Sequence, residues 1–249
     1  MTAKRPGRCI ERLRDEHGLL EVYETVDARR LYFGNHVAQT ELFRFAPDLL
    51  SFSYYRAMAC AFAFVPQPAQ VALLGLGGGA LARLVLGHTS ARLTAMELRP
   101  AVVDLAERHF GVPVGHPGLS LLIGDVRERV IDLAPGQDIV LVDLFDADGM
   151  VALDEAFFAA LRQRLVADGV MAVNLWRTRL TEFGQQCSAI SRSFSHAPLA
   201  IHLPDRDNTV LIFGPKDLRR ARFEAAGQSL RELPEFIRAP VEEMWPMIR

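Results

Sequence analysis

The sequence predicts an α/β fold: a doubly wound, mostly parallel sheet preceded by a small N-terminal β appendage. Three observations carry this. From residue 71 onward, short apolar runs of strand length alternate with helix-length segments. Several of those runs, VALL, DIVLV and VMAV, are continuously apolar, as strands covered on both faces must be. Pro66 and Pro68 separate this regular stretch from a first part with a different pattern.

The elements follow in order. Leu19 to Thr25 (LLEVYET) and Arg30 to Gly34 are β-prone pieces around Val26-Asp27-Ala28-Arg29, which reads as a hairpin within residues 1–50. Asp48 to Phe64 reads as a mostly apolar helix. Val71 to Leu74 is the first central strand and leads into the glycine-rich GLGGGALARLVLGH. Arg92 to Glu97 is the second, with a helix from Pro100 to Phe110. Leu119 to Ile123 is the third, followed by one or two helical turns over Arg127 to Leu133. Asp138 to Val142 is the fourth. Asp154 to Val166 carries Phe157, Phe158, Leu161 and Leu165 at helical spacing, with Gly169 as its expected stop before a fifth strand, Val170 to Leu175. A helix over Glu182 to Phe194 and strands at Pro198 to His202 and Thr209 to Phe213 complete the pattern. The charged, proline-punctuated tail from Lys216 reads as partly helical and solvated. Residues 51–249 are therefore expected to form a single Rossmann-like domain with its charged tail, in which the nucleoside-binding and catalytic features described next would lie.

In open α/β sheets, ligands bind beyond the carboxyl ends of the strands. After the first central strand comes Gly75-Leu76-Gly77-Gly78-Gly79-Ala80, which fits G-x-G-x-x-A and lets backbone approach a ligand closely. After the second comes Glu97, twenty residues beyond Gly77 and suited to ribose hydroxyls. Gly124-Asp125 follows the third, and Asp143-Leu144-Phe145-Asp146-Ala147-Asp148 the fourth. A dinucleotide and an S-adenosylmethionine-type nucleoside both fit the loop and Glu97. The acids after strands three and four favour the second, because they suit an adenine amino group and a cationic centre but not a pyrophosphate. Asp125 reads equally well as the N-cap of the helical turn after it.

Bulk properties exclude other classes. Lys and Arg number 28 and Asp and Glu 30, a net charge of -2, which disfavours a general nucleic-acid binder. The charge is uneven: residues 71–150 hold 6 basic and 10 acidic residues. The longest apolar run, Ala57 to Val65, is too short to span a bilayer, and the N-terminal stretch lacks a signal core, so no membrane partner and a cytoplasmic location are expected. Cys9, Cys60 and Cys187 are widely spaced and no two histidines stand at ligand spacing, so neither disulfides nor a metal site is expected. The only lysines, Lys4 and Lys216, lie outside the central segment, which argues against Schiff-base chemistry.

Val71 to His88, Ala95-Met96-Glu97-Leu98-Arg99-Pro100, Gly124-Asp125 and Asp143-Leu144-Phe145-Asp146 resemble the spermidine/spermine synthases, and in particular their spermidine synthase-like bacterial branch, over roughly Leu19 to Leu175. The resemblance implies a class I methyltransferase-like Rossmann fold, and a homodimer or homotetramer. It also implies transfer of an aminopropyl group from decarboxylated S-adenosylmethionine to an amine acceptor, releasing methylthioadenosine. Carried over by position, Gly75, Gly77 and Gly79 form the cofactor loop, Glu97 binds the ribose and Asp125 the adenine. Asp143 takes the proton from the attacking amine, Asp146 holds that amine, and Gln39, Tyr54 and Tyr55 line the substrate site. Trp176 is a candidate for pocket wall or packing.

Three positions depart from the family pattern. Gly78 stands where the loop usually has an Asp. Tyr54-Tyr55-Arg56 replaces a Tyr-His-Glu triplet. The segment after Asp143 lacks its usual proline. The loss of two acids predicts an acceptor different from the standard one and leaves the donor open. Two other readings share the same residues: an S-adenosylmethionine-dependent methyltransferase and a non-catalytic nucleoside-binding protein.

Overall fold

The computed structural model describes residues 5–147, 149–194, 196–214, 218 and 229–249. Asp148 and much of the tail after Lys216 lie outside the described residues. Four strands, β1 (Arg8–Asp15), β2 (Gly18–Glu24), β3 (Ala28–Tyr32) and β4 (Ala38–Phe43), form an antiparallel sheet in chain order. Sequence reading found only the inner pair and placed Ala28 and Arg29 in the turn, whereas they begin β3. The outer strands are charged, and their charges are matched across the ladder: Arg12 lies opposite Glu21 and Arg30 opposite Glu41, each pair ion-paired.

The second sheet has seven strands in the order β10-β11-β9-β8-β5-β6-β7. They are β5 (Gln70–Leu74), β6 (Arg92–Glu97), β7 (Leu119–Ile123), β8 (Gln137–Val142), β9 (Leu165–Trp176), β10 (Leu199–His202) and β11 (Asn208–Phe213). The strands β5 to β9 pair in parallel, while β11 and β10 are added antiparallel to β9. The chain starts at β5, winds outward to β7, returns to β8 beside β5, and winds the other way. The crevice at the switch between β5 and β8 is where such sheets bind ligands.

Both faces are covered. α1 (Ser53–Ala59), the 3-10 turn Cys60–Ala63, α2 (Ala80–His88) and the C-terminal helix Glu235–Met244 pack on one face. On the other lie α4 (Val126–Arg129), α5 (Glu155–Arg164) and α6 (Leu180–Ser193). Each fully buried Leu or Phe in these layers contributes about 1.5–3 kcal/mol. The small sheet docks on α3 (Pro100–Phe110) through Leu20, Val22, Leu31 and Leu42 against Val102, Leu105 and Phe110. Among the described residues, no helix is long and apolar enough to cross a membrane.

Two boundaries differ most from expectation. The helix expected over Asp48 to Phe64 begins only at Ser53, because Phe52 is extended and the carbonyls of Leu50 and Ser51 are taken by the Arg56 guanidinium. Gly169 does not end α5. The helix stops at Arg164, Leu165 is already strand, and Gly169 sits inside β9. A Cβ on Gly169 would lie 2.9 Å from the Gln137 carbonyl oxygen, so glycine there permits close backbone approach beside an irregularity in the β8–β9 register.

Candidate active site

The carboxyl ends of β5 to β8 and the edge of the small sheet enclose a cleft of about 370 Å³, within the range of small-ligand sites, about 300–1,000 Å³. Its floor is the turn after β5. Gly75 (φ 90°) has no room for a side chain, since a Cβ would lie 2.1 Å from the Asp143 carbonyl oxygen. Gly75, Leu76 and Gly77 line the cleft. Gly79 does not: it caps α2 in a left-handed conformation, packed against Val112.

Glu97, at the end of β6, is buried. Its Oε2 accepts from the Leu76 amide and its Oε1 from the Arg99 amide, both at 3.0 Å. Burial raises its pKa, while the surrounding backbone N–H groups pull it down. The Arg99 guanidinium reaches Asp15 of the small sheet at 2.9 and 2.7 Å and lies over the Phe33 ring. The β1–β2 tip is thereby fixed at the cleft, which His17 also lines.

Asp125 follows β7 and starts α4. Its Oδ1 accepts from the Arg127 amide at 2.9 Å as the N-cap of α4, and its carboxylate also faces the cleft. The Arg127 guanidinium hydrogen-bonds it and holds its pKa below the usual carboxylate range.

Asp143 follows β8. Burial pushes its pKa up to about 6, opposed by the Asn174 amide, whose Nδ2 donates to Oδ1 at 2.8 Å. Tyr54 and Tyr55 come from the start of α1, ring centroids 4.3 Å apart, and both hydroxyls donate to the Gln39 carbonyl at 3.3 Å. Burial and the neighbouring Asp143 charge push Tyr55 up to about 12, and burial, with Tyr55 and Asp143 beside it, raises Tyr54 well above the usual phenol range, so both remain phenols. The Gln39 side chain lines the same end, and its buried Nε2 meets no partner among the described residues. Asp146 stands at the exposed mouth, where its Oδ1 accepts from the Gly149 amide at 2.9 Å. Its loop is held by the Asn35 side chain, which donates to the Ala147 carbonyl at 2.9 Å, and by Phe145 packing on Trp176. Trp176 thus supports the loop by packing.

Two of the positions that depart from the family pattern have partners outside the cleft. Arg56 does not face the cleft. It bonds the Leu50 and Ser51 carbonyls and pairs with Glu243. At Gly78 the amide donates to Thr40 Oγ1 at 2.8 Å, and a Cβ would fall 2.4 Å from Thr40 Cγ2. Thr40, Arg99, Arg127 and Asn174 were missed by sequence reading. Only Asn174 had a visible signal, as the lone polar residue in the apolar run VMAVNL.

No protein-family model matches the chain. The chain is 28% identical to the polyamine aminopropyltransferase of Neisseria meningitidis (serogroup A) over 178 residues, 70% of this chain and 68% of that one. Its fold matches a probable spermidine synthase from Corynebacterium glutamicum with a TM-score of 0.73 at 19% identity, covering 97% of this chain and 95% of that one. It also matches human methyltransferase-like protein 13, crystallised with SAH, with a TM-score of 0.61 at 18% identity over 80% of this chain and 94% of that one. The chain therefore has the methyltransferase-like fold that these two solved structures share, and its sequence is similar to that of the polyamine aminopropyltransferases.

Proposed function

We propose that this chain transfers an aminopropyl group from decarboxylated S-adenosylmethionine to a primary amine, releasing methylthioadenosine. The observation that carries the reading is the spread of acids along one cleft. Asp125 and Asp143 follow β7 and β8, which are three strand spacings apart in the sheet, roughly 14 Å. That span accommodates a nucleoside with its adenine amino group at Asp125, its ribose at Glu97 and its sulfonium side toward Asp143. Gly75 and Gly77 bring backbone up to it, and Gly79 supports the loop from behind.

The chemistry then belongs to the Asp143 end. A protonated amine has no lone pair, so a carboxylate must first accept its proton, and Asp143, poised near 6, is suited to that. The freed lone pair attacks the methylene carbon beside sulfur. The C–N bond forms, the C–S bond breaks, and the bonding pair returns to sulfur as a neutral thioether. Tyr54, Tyr55 and Gln39 orient the aminopropyl and amine groups. Asp146 holds the far, cationic end of the acceptor at the mouth. With Arg56 turned away, nothing on α1 repels a diamine. A methyl donor would bring its carboxylate against Asp143 and Asp146, which disfavours the methyltransferase reading. The chain is read as working in the cytoplasm as a homodimer or homotetramer, which light scattering of the purified protein would check.

The test is a turnover assay with decarboxylated and full S-adenosylmethionine against a series of diamines, read by mass spectrometry. Methylthioadenosine and an aminopropylated amine in equal amounts are expected. S-adenosylhomocysteine and a methylated acceptor from the full donor would overturn the reading in favour of a methyltransferase.

A further inference from the structure

Behind Asp143 runs a line of amides crossing three neighbouring strands. Asn174 Nδ2, on β9, donates to Asp143 Oδ1, and Asn208 Nδ2, on β11, donates to Asn174 Oδ1, each at 2.8 Å. Asn174 and Asn208 are 2% and 3% exposed, so neither bond competes with bulk water. The register makes the line possible: Asn174 pairs with Val210 and Trp176 with Asn208, which sets the two asparagines on a diagonal. We propose that Asn174 is a positioning residue for the transfer reaction, kept in its working orientation by Asn208, so that the proton leaving the amine is received on Asp143 Oδ2.

The polarity of the line supports this. An amide has one acceptor and one donor end. Asn208 occupies the acceptor end of Asn174, which leaves only N–H to face the carboxylate. A flipped Asn174 would oppose oxygen to carboxylate on one side and N–H to N–H on the other. With Oδ1 engaged, Oδ2 is the oxygen available to the amine. The donated bond favours ionised Asp143 and so counters its burial. Among the described residues, the titratable groups that share this end of the cleft with Asp143 are the phenols of Tyr54 and Tyr55 on α1, neutral across the working range, and Asp146 further along its own loop. The turn after β5 presents the neutral backbone of Gly75.

The inference rests on the proposed role of Asp143, and its test keeps the two apart. The Asp143 carboxyl is titrated by carbon-13 NMR in the full chain, assigned with Asp143→Asn, in wild type, Asn174→Ala and Asn208→Ala. Asn174→Ala is expected to raise the Asp143 midpoint by about one pH unit, the scale of a lost hydrogen bond to a charged group. Asn208→Ala, farther from the site, should shift it less in the same direction, and it serves if Asn174→Ala fails to fold. In turnover with a diamine, kcat/KM of Asn174→Ala should fall about fivefold at pH 6 but less than about twofold at pH 7, as ionisation alone dictates. Methylthioadenosine affinity should be unchanged. An Asp143 midpoint that does not move in the folded variants overturns the inference. Absence of wild-type turnover would overturn the proposed function, while the NMR titration would still decide the role of Asn174.

Discussion

Replacing Asp143 with Asn should make the protein inactive and more stable at once. The carboxyl ordinarily titrates near 3.8 and is pushed up to about 6 in the folded chain. That gap is equivalent to at most about 3 kcal/mol, at about 1.36 kcal/mol per pH unit. The folded state holds this proton to higher pH than the unfolded chain. Folding stability therefore falls as pH rises from about 4 to about 6 and then levels, and above that window the wild type carries the full cost of an ionised, poorly solvated carboxylate. The amide of the Asp143→Asn variant would keep an oxygen for the Asn174 N–H and carry no charge. Urea unfolding of both proteins from pH 5 to pH 8 should show the variant more stable by up to about 3 kcal/mol at pH 8, with the advantage shrinking toward pH 5. Loss of the proton acceptor should lower kcat by about 10²–10⁴-fold, while methylthioadenosine binding persists. Equal or lower stability of the variant at pH 8 would refute the reasoning, because it would mean that burial does not penalise the charge of Asp143.

Glu97→Gln should weaken methylthioadenosine binding by about tenfold or more in calorimetry, since an amide can offer only one acceptor oxygen where the Leu76 and Arg99 amides each now find one. Gly78→Asp should destabilise the fold by about 1–3 kcal/mol through overlap with Thr40; Thr40→Ser added to it, which removes the obstructing methyl but keeps the hydroxyl for the loop amide, should recover part of that loss in urea unfolding. Arg56→Ala should lower the melting temperature by a few degrees, having lost two carbonyl partners and Glu243, yet leave methylthioadenosine affinity and the KM for a diamine unchanged. A large rise or fall in that KM would show that Arg56 does face the acceptor.

The central sheet was legible because its signals are local. β6, β7 and α3 match their sequence boundaries to the residue. Each is an apolar or periodic run bounded by a polar or turn residue, and Pro100 and Gly111 mark the two ends of α3. The outer strands of the small sheet were not legible. Their charges, read singly, look like solvent-exposed loop, and the opposite charges that neutralise them lie on neighbouring strands. Gly169 misled for a related reason. A glycine after a helical pattern resembles a stop, but what demands glycine there is a carbonyl from β8, about thirty residues earlier in the chain.

The same distinction governs the site. The acids after the strands could be found because strand ends in a doubly wound sheet converge on one edge, so topology alone brings Glu97, Asp125 and Asp143 together. The polar side chains that support the site from other strands could not. Thr40 reaches the glycine loop from the small sheet, and Asn208 reaches Asp143 only through Asn174, contacts spanning 38 and 34 residues of chain. Arg56 and Gly78 show the cost of reading identity without direction. A cation in place of an acid inverts a site only if it points into it, and an absent acid leaves a vacancy only if nothing else fills the volume. Here α1 turns Arg56 toward Glu243, and Thr40 occupies the space beside Gly78. Neither residue is part of the cleft lining, which keeps Asp143 and Asp146 as its acids at that end.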